Sequence, residues 1–492
     1  MAMKLSQLLK RIDNKRFSSC GFDRDIVSIC SDSKAVRPGA LFVAIDGAKA
    51  KGSEFVAEAV IKGAVCIIAP LHTPSPVSAE MPFITFPDTR YALAVAADEF
   101  FGHPSGRIKV VGVTGTNGKT TITYLIRSIL REAHFSAGIL GTIGSIVKDT
   151  LIPALNTTPG AIEVQSLLQQ MIDAGCHYCV MEVSSHGLDQ KRVEAIDFTA
   201  GIFTNLTQDH LDYHIHLENY FLAKAKLFTA LSKDAYALLN LDCPYGRRLV
   251  GMTQAPVVSF AIDSDADLRA TDIKLSLDGS EFRLRSKEHE VTLSTRLIGR
   301  HNISNILASV AFSLTQGIGL EDIAKAVTAF SGVKGRLEKV CSADRNIFVD
   351  YAHTPDALEN VLRILRQLSG GKLIVVFGCG GDRDRLKRPL MGSAAERYAD
   401  TIIITSDNPR SEEPKDIAEA IASGIATKRY TIILDRREAI YEALRKAGSN
   451  DTILIAGKGH ENYQIFKDKK VAFDDIIVAQ ECLRALGSHG ST

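Results

Sequence analysis

The chain has 492 residues, which at about 150 residues per domain anticipates about three domains and excludes a small scaffold that needs covalent staples. Lysine plus arginine number 58 and aspartate plus glutamate 57, a net charge of +1, which argues against nucleic-acid binding through a large basic surface. Hydrophobic residues make up 45% and charged residues 23%, which excludes wholesale disorder.

To about Arg107, short strands (Leu41–Ile45, Val65–Ala69) alternate with helical stretches such as Phe55–Lys62, and His103-Pro104-Ser105-Gly106 reads as a linker. A buried strand over Lys109–Val113 then enters a glycine-rich turn, followed by a helix from Thr120 to Ala133. Further strands are predicted at Tyr178–Val183, Ala200–Thr204 and Ala235–Asn240. Between Leu268 and Leu297 polar and apolar residues alternate around an Asp278-Gly279 turn, which predicts an antiparallel insertion. From Ser331–Arg336 onward, strands at Ile347–Asp350, Leu373–Phe377, Thr401–Thr405, Ile432–Leu434 and Thr452–Ala456 are separated mostly by helices. That is a doubly wound parallel pattern, whose ligands sit at the strand C-terminal ends. Asp350–His353, Gly378–Arg385, Asp407–Arg410 and Gly457–Glu461 all fall at such ends.

The apolar runs have strand length, well short of the about 20 residues of a spanning helix, so no membrane insertion is expected. Met1–Phe17 shows basic residues but no apolar core or cleavage site of a secretory signal. The nine scattered cysteines suit a reducing compartment, and a cytoplasmic location is expected. Cys176 and Cys179 form a CxxC that enters a strand without a second pair to follow, and they read as core thiols.

Val110–Thr121 reads VVGVTGTNGKTT. A strand delivers the chain into a turn where Gly115 and Gly118 let the backbone curl, so that its N–H groups and the following helix can hold phosphate oxygens. Lys119 supplies a point charge for the terminal phosphates, and the Thr120 hydroxyl can ligate Mg²⁺. Val113 stands at the first glycine position of the strict phosphate-loop pattern, so this is the compact G-T-x-G-K-T form. Glu182, at the end of its strand, can reach an ion at the sheet edge, whereas His210 taken singly would read as a satisfied structural group and Lys224 as solvated surface. The expected architecture is α/β with three domains. These are a small N-terminal α/β domain (1–107), a central P-loop mononucleotide-binding domain (108–332) and a C-terminal Rossmann-like doubly wound domain (333–492).

Together, GTNGKTT, Met181-Glu182-Val183-Ser184-Ser185-His186, Asp209-His210-Leu211-Asp212 and His301-Asn302 resemble the Mur ligases, ATP-dependent amino-acid-adding enzymes of cytoplasmic peptidoglycan precursor synthesis. Asn156-Thr157-Thr158-Pro159, Gly378–Asp384, Asp407-Asn408-Pro409-Arg410 and Gly457-Lys458-Gly459-His460-Glu461 are similar to the motifs of members that add meso-diaminopimelate to UDP-N-acetylmuramoyl-L-alanyl-D-glutamate. The implied reaction makes an amide: ATP phosphorylates a carboxylate, an amine attacks the acyl phosphate, and phosphate leaves. Positioning and charge stabilisation are then the protein's share.

The resemblance implies that Gly115, Thr116, Asn117, Gly118, Lys119, Thr120 and Thr121 cradle the phosphates, with Asn302 and Asn305 near the base and Arg336 and Asp350 reaching in from the third domain. It implies one Mg²⁺ at Thr120 and the nucleotide phosphates with Glu182 nearby, and a second involving Glu182 and His210. An ammonium beside two divalent ions would be repelled. The family's answer is a carbamylated lysine, carried here to Lys224 (as N6-carboxylysine) because it occupies the Ala-Lys of Y-x-x-A-K; Lys226 is the competing candidate. Lys119, Glu182, His210, Lys224 and Arg336 are thereby the catalytic candidates.

For the nucleotide-sugar peptide, the resemblance points to Ser33, Ala48, Lys49 and Ala50 around the uridine, and to Asn156, Thr157, Thr158, Ser184, Gln190 and Arg192 around the diphosphate, sugar and peptide. For the incoming diamino acid it points to Arg383, Asp407, Asn408, Pro409, Arg410, Gly457 and Glu461. Arg410 grips the distal carboxylate, Asp407 and Asn408 accept from the ammonium, and Arg383 is a second clamp. Lysine lacks that carboxylate and would leave Arg410 unsatisfied. A lysine-adding member, a folylpolyglutamate synthetase-like ligase, a P-loop switch and a non-catalytic homologue are the other readings. Small-molecule substrates, no nucleic acid and a monomer are expected.

Overall fold

The computed structural model describes residues 2–12, 23–47, 50–75, 81–342, 345–427 and 429–488; Ala48 and Lys49 lie outside the described residues. Two compact units emerge: Met1–Arg269 with Ser304–Ala326, and Ala270–Ile303 with Val327–Thr492.

The first unit begins with a parallel sheet ordered Ser28–Cys30, Ala40–Val43, Ala64–Pro70, Phe83–Phe86. Its helix Thr89–Phe100 starts where the Asp88 carboxylate accepts from the Tyr91 N–H at 3.0 Å, and it packs Ala92, Val95 and Ala96 against Leu41, Val43 and Ile68. The helix expected over Phe55–Lys62 is a 3₁₀ turn, Gly52–Phe55, followed by Val56–Ile61. The linker read at His103–Gly106 is a built corner: Pro104–Gly106 forms a 3₁₀ turn, and Ser105 Oγ accepts from the Asp197 N–H at 3.1 Å.

A larger sheet follows, with parallel strands ordered Ala137–Leu140, Tyr178–Glu182, Lys109–Thr114, Phe198–Phe203, Tyr236–Asn240 and Val257–Ala261. Lys109–Thr114 is therefore central, and from Val110 to Thr114 every residue is buried. Cys176 and Cys179 are buried in this core, and burial pushes the Cys179 thiol up, which agrees with their reading as core thiols. The insertion after Leu268 departs from expectation at its first strand, which pairs parallel to Val257–Ala261 through Phe260↔Leu268 and Ala261↔Arg269. Alternation reports one buried face, not strand direction.

In the second unit, Gly279–Arg285 and Glu290–Thr295 form the antiparallel hairpin of that insertion. The main sheet runs Glu338–Val340, Asn346–Asp350, Thr452–Ala456, Leu373–Phe377, Thr401–Ile404, Tyr430–Ile432, parallel apart from its first strand. The last strand lies two residues before the expected Ile432–Leu434. Leu358, Leu362, Leu365, Met391 and Ile421 cover one face through Val375, Phe377 and Leu454. Ile440, Leu444, Val478 and Ala479 cover the other through Ile374, Val376 and Ile455. Burial on both faces explains the unbroken apolar strands. Among the described residues, no helix is long and apolar enough to cross a membrane.

Candidate functional site

In the first unit the strand Lys109–Thr114 ends at the glycine-rich loop, and the helix Lys119–Glu132 begins without a side-chain cap. A helix N-terminus of this kind favours an anion. Gly115 has φ +143°, and a Cβ there would overlap Thr204 Oγ1, so no other residue fits. The loop is tied down from the neighbouring strand end. Thr204 Oγ1 donates to Asn117 O at 2.6 Å, Asn205 Oδ1 accepts from Asn117 N at 3.0 Å, and Asn205 O accepts from Thr116 N at 2.9 Å. Lys119 Nζ folds back to donate to Gly115 O at 3.0 Å and Thr116 O at 2.8 Å. Thr120 and Thr121 are buried, and Asn305 presses its Oδ1 against Gly118.

Lys224, on the helix Leu217–Thr229, is 1% exposed. Its Nζ donates to Gly115 O at 2.8 Å and lies 4.5 Å from the Tyr220 ring centre. Burial, reinforced by the Lys119 charge and opposed by Asp209, drives its ammonium far below the usual lysine range. Lys226, the competitor, is instead an exposed ion pair with Asp189 at 2.9 Å. His210 stands at φ +53°, edge-on to His186 at 4.9 Å and to Tyr220 at 6.0 Å. Tyr220 Oη lies 3.3 Å from Thr116 Oγ1, so this ring, which the sequence reading missed, joins His210, Lys224 and the loop.

Glu182 is the last residue of its strand and 1% exposed. Its two oxygens accept from Thr142 N at 2.9 Å and Thr142 Oγ1 at 3.0 Å, and Thr157 Oγ1 lies 3.1 Å from the same hydroxyl. Thr158 Oγ1 donates to Glu182 O at 2.9 Å and accepts from Ser184 N at 2.9 Å, while Ser184 Oγ caps its own helix by accepting from Gly187 N at 3.0 Å. Thr157, Thr158 and Ser184 are thus grouped around Glu182, with Thr142 as a further missed member.

Beside them lies a cavity of about 360 Å³ whose polar lining includes Ser31, Arg90, Asn156, Glu163, Gln190 and Arg192. Arg192 donates to Thr158 O at 2.7 Å and through Nη2 to Gln190 Oε1 at 2.7 Å. Burial, then the nearby Arg90, lowers the guanidinium's proton affinity, as two cations sharing one cavity require. Ser33 is committed elsewhere, its Oγ donating to Glu58 Oε2 at 2.7 Å, and Ala50 accepts from Gly47 N at 3.0 Å.

The second unit gathers its polar residues at the strand C-terminal ends. Asp350 is buried and accepts from Leu337 N at 2.6 Å and Ala352 N at 2.8 Å; burial raises its carboxyl, with Arg336 opposing. The Arg336 guanidinium lies 4.9 Å from the Tyr351 ring centre, and its buried Nε has no partner among the described residues. His460 packs on Tyr351 at 4.8 Å; burial, then Arg336, pushes it down to about 4. Asn302 is buried and donates to Ile298 O at 3.0 Å.

Asn408 is 2% exposed. Its Oδ1 accepts from Lys458 Nζ at 3.2 Å and Ile465 N at 3.0 Å, and its Nδ2 donates to Glu461 Oε2 at 2.8 Å. The Asn408 amide is therefore spent on the protein. Asp407 is 7% exposed; its main-chain O accepts from Gln464 Nε2 at 3.0 Å, while its carboxylate takes no hydrogen bond from the described residues. Gly457, at φ +109°, keeps that carboxylate open, since a Cβ would lie 2.6 Å from Asp407 Oδ2. Arg410, at φ +52°, donates from Nη1 to Gly381 O at 2.8 Å, and its N–H bonds Ile465 O at 3.0 Å. Arg383 is exposed. Its loop is held by Glu412, which accepts from Asp382 N at 2.7 Å and pairs with Arg388 at 2.9 Å; Arg388 holds the Glu412 carboxyl down at about 2. The hairpin Tyr463–Phe466 with Lys469–Ala472, unforeseen in the sequence, contributes Ile465.

Three family models match: "Mur ligase family, catalytic domain" over 25–101, "Mur ligase middle domain" over 113–313, and "Mur ligase, glutamate ligase domain" over 335–459. The chain belongs to the Mur ligase family. It is 45% identical to a UDP-N-acetylmuramoyl-L-alanyl-D-glutamate–2,6-diaminopimelate ligase of Syntrophomonas wolfei, covering 98% of this chain and 99% of that one. It is 44% identical to a ligase of the same name from Aquifex aeolicus, covering 99% and 97%. A solved structure of a ligase of that name superposes with TM-score 0.73 at 31% identity, covering 99% of this chain and 100% of that one. Among the described residues of this Mur ligase, no group of three or more His, Cys, Asp or Glu forms a metal cluster. Hard-oxygen donors such as Thr120 and Glu182 instead suit an ion that takes its remaining ligands from phosphate and water.

Proposed function

We propose that this chain is an ATP-dependent ligase that joins an amine of meso-diaminopimelate to the terminal carboxylate of UDP-N-acetylmuramoyl-L-alanyl-D-glutamate through an acyl phosphate, in the cytoplasm. The observation that carries the choice of acceptor is the network in which Asn408, Lys458 and Glu461 bring two separate motifs together beside the open Asp407 carboxylate and Arg410. One end of a diamino diacid presents a carboxylate and an ammonium, and this pocket offers a guanidinium and carboxylates. The three-domain division at 107 and 332 is supported by the family matches, each of which falls within one segment.

In this reading the loop 115–121 and Lys119 hold the triphosphate, and Lys119 exchanges its loop carbonyls for phosphate oxygens. Asn305 lies beside the loop, while Asn302, Arg336 and Asp350 serve the same nucleotide, Arg336 by stabilising the transferring phosphoryl group. The cavity lined by Asn156, Gln190 and Arg192, with Thr157, Thr158 and Ser184 beside it, orients the peptide carboxylate, and the segment with Ser33 and Ala50 receives the uridine. Thr120, Glu182, His210 and a carbamylated Lys224 would hold Mg²⁺, which supplies charge screening between the two anionic reactants. A lysine that is neutral by burial is the form that reacts with CO₂. Arg383 and Arg410 grip the distal carboxylate, and Asp407, with Gly457 and Pro409 shaping the recess, accepts the ammonium.

The test is phosphate release from ATP and Mg²⁺ with the UDP-linked dipeptide plus diaminopimelate, lysine or no amine. Release only with diaminopimelate is expected. Release without an amine identifies a plain ATPase, and a preference for lysine overturns the role given to Arg410.

A further inference from the structure

Lys458 sits inside the acceptor pocket, yet the motif reading gave it no task. Its side chain is 0% exposed, whereas that of Glu461 is 17% exposed. Its ammonium donates to Glu461 Oε2 at 3.0 Å and Asn408 Oδ1 at 3.2 Å, and lies 5.5 Å from the Tyr463 ring centre. Glu461 Oε2 also receives Asn408 Nδ2 at 2.8 Å. One oxygen of this carboxylate thus takes two protein donors, while Oε1 takes none among the described residues. Asn408, held at both ends, cannot flip its amide without losing Lys458, Ile465 and Glu461 together.

The charges follow from this placement. Asp407 and Glu461 bring two negative charges to a recess that has to receive one ammonium and one carboxylate. With Arg410 and Arg383 taken up by the ligand carboxylate, a recess without Lys458 would set two carboxylates against a single ligand ammonium. A second cation would then fit it better than a zwitterion. Lys458 cancels one of those charges from beneath, where no ligand displaces it, and leaves Glu461 Oε1 as an oriented acceptor.

We infer that Lys458 is a specificity-determining positioning residue: by pairing with Glu461 and fixing Asn408 it tunes the recess for the zwitterionic end of a diamino diacid and against a bare terminal ammonium. This rests on the reading above that the pocket takes the incoming amino acid.

The experiment compares Lys458→Met, Lys458→Arg and the double variant Lys458→Met/Glu461→Gln with the wild type. Binding of diaminopimelate and L-lysine is measured by calorimetry, independently of turnover, and KM for both amines and for ATP by phosphate release. Lys458→Met should weaken diaminopimelate by about tenfold or more while L-lysine weakens less, so that the ratio between the two acceptors falls, with KM for ATP unchanged. The double variant, which removes both charges, should restore much of the ratio. Lys458→Arg keeps the charge and should hold the ratio closer to wild type even if affinity drops. Equal losses for both amines, or a double variant no better than the single one, would overturn the inference and leave Lys458 a structural residue. A wild type that binds diaminopimelate while Lys458→Met keeps an unchanged ratio overturns the inference alone. A wild type that binds neither amine overturns the pocket reading along with it.

Discussion

Two buried lysines, one in each unit, are placed by the fold in opposite chemical situations. Lys224 meets a carbonyl oxygen and a phenol ring, and burial, reinforced by the Lys119 charge and only opposed by Asp209, drives it toward the neutral amine. Lys458 is as deeply enclosed, but it touches a carboxylate at 3.0 Å. A buried ammonium without a counter-ion becomes a nucleophile; one with a counter-ion becomes part of the scaffold. Under the proposed function the same residue type at the same depth would serve modification in one place and architecture in the other, and what differs is a carboxylate in direct contact.

Substituting Lys224 puts the largest strain on this contrast. Lys224→Met should lower the rate of acceptor-dependent phosphate release by about 10²–10³-fold, and labelled CO₂ should give a carbamate signal in the wild type that the variant lacks. A variant within about threefold of wild type would erase the distinction. Stability should move the other way. The unfolded chain keeps the Lys224 proton up to about pH 10.4, whereas the folded chain releases it at lower pH. Between those two points the unfolded state holds more protons, so burial of Lys224 costs most at low pH and its cost fades as pH rises toward 10.4. In CO₂-depleted buffer Lys224→Met should therefore unfold at a higher temperature than wild type, with the gap closing at alkaline pH. Lys458→Met should unfold at a lower temperature near neutrality, because it strands the Glu461 carboxylate.

Arg410→Ala comes next. It should raise KM for diaminopimelate by about 100-fold and leave KM for ATP within about twofold. Equal effects on the two would mean that the pocket is not a separate acceptor clamp. The smallest effect belongs to Thr142→Val, which removes one of the two donors that orient Glu182. About a tenfold loss of activity, relieved by raising the Mg²⁺ concentration, is the expected result in steady-state kinetics.

The strands Leu373–Phe377 and Thr452–Ala456 were readable to the residue, because helices cover both faces and every position is apolar or enclosed. Tyr430–Ile432 was misread by two positions, since no residue of this edge strand is fully buried and its apolar signal is weak. The hairpin strand Lys469–Ala472 was invisible for the same reason, being exposed throughout. At the candidate site, the glycine-rich loop after Thr114 was plain because steric need writes its glycines into the sequence. Thr142 and Tyr220 were not, because their importance comes only from what they touch, 40 residues away at Glu182 and 104 residues away at Thr116. Lys458 stood in a recognised motif, but nothing in five letters tells whether a lysine faces solvent or a half-buried glutamate.

Gly115 O receives both Lys119 Nζ and Lys224 Nζ. That shared atom makes the two lysines rivals as well as neighbours: whatever draws one of them off leaves more of the oxygen's electron density to the other. A nucleotide that recruits Lys119 should tighten the hold on Lys224, and a modification that turns Lys224 from donor to acceptor should repel this carbonyl. The backbone at residue 115 is accordingly a natural reporter, and its carbonyl ¹³C shift would register both events on one spectral line.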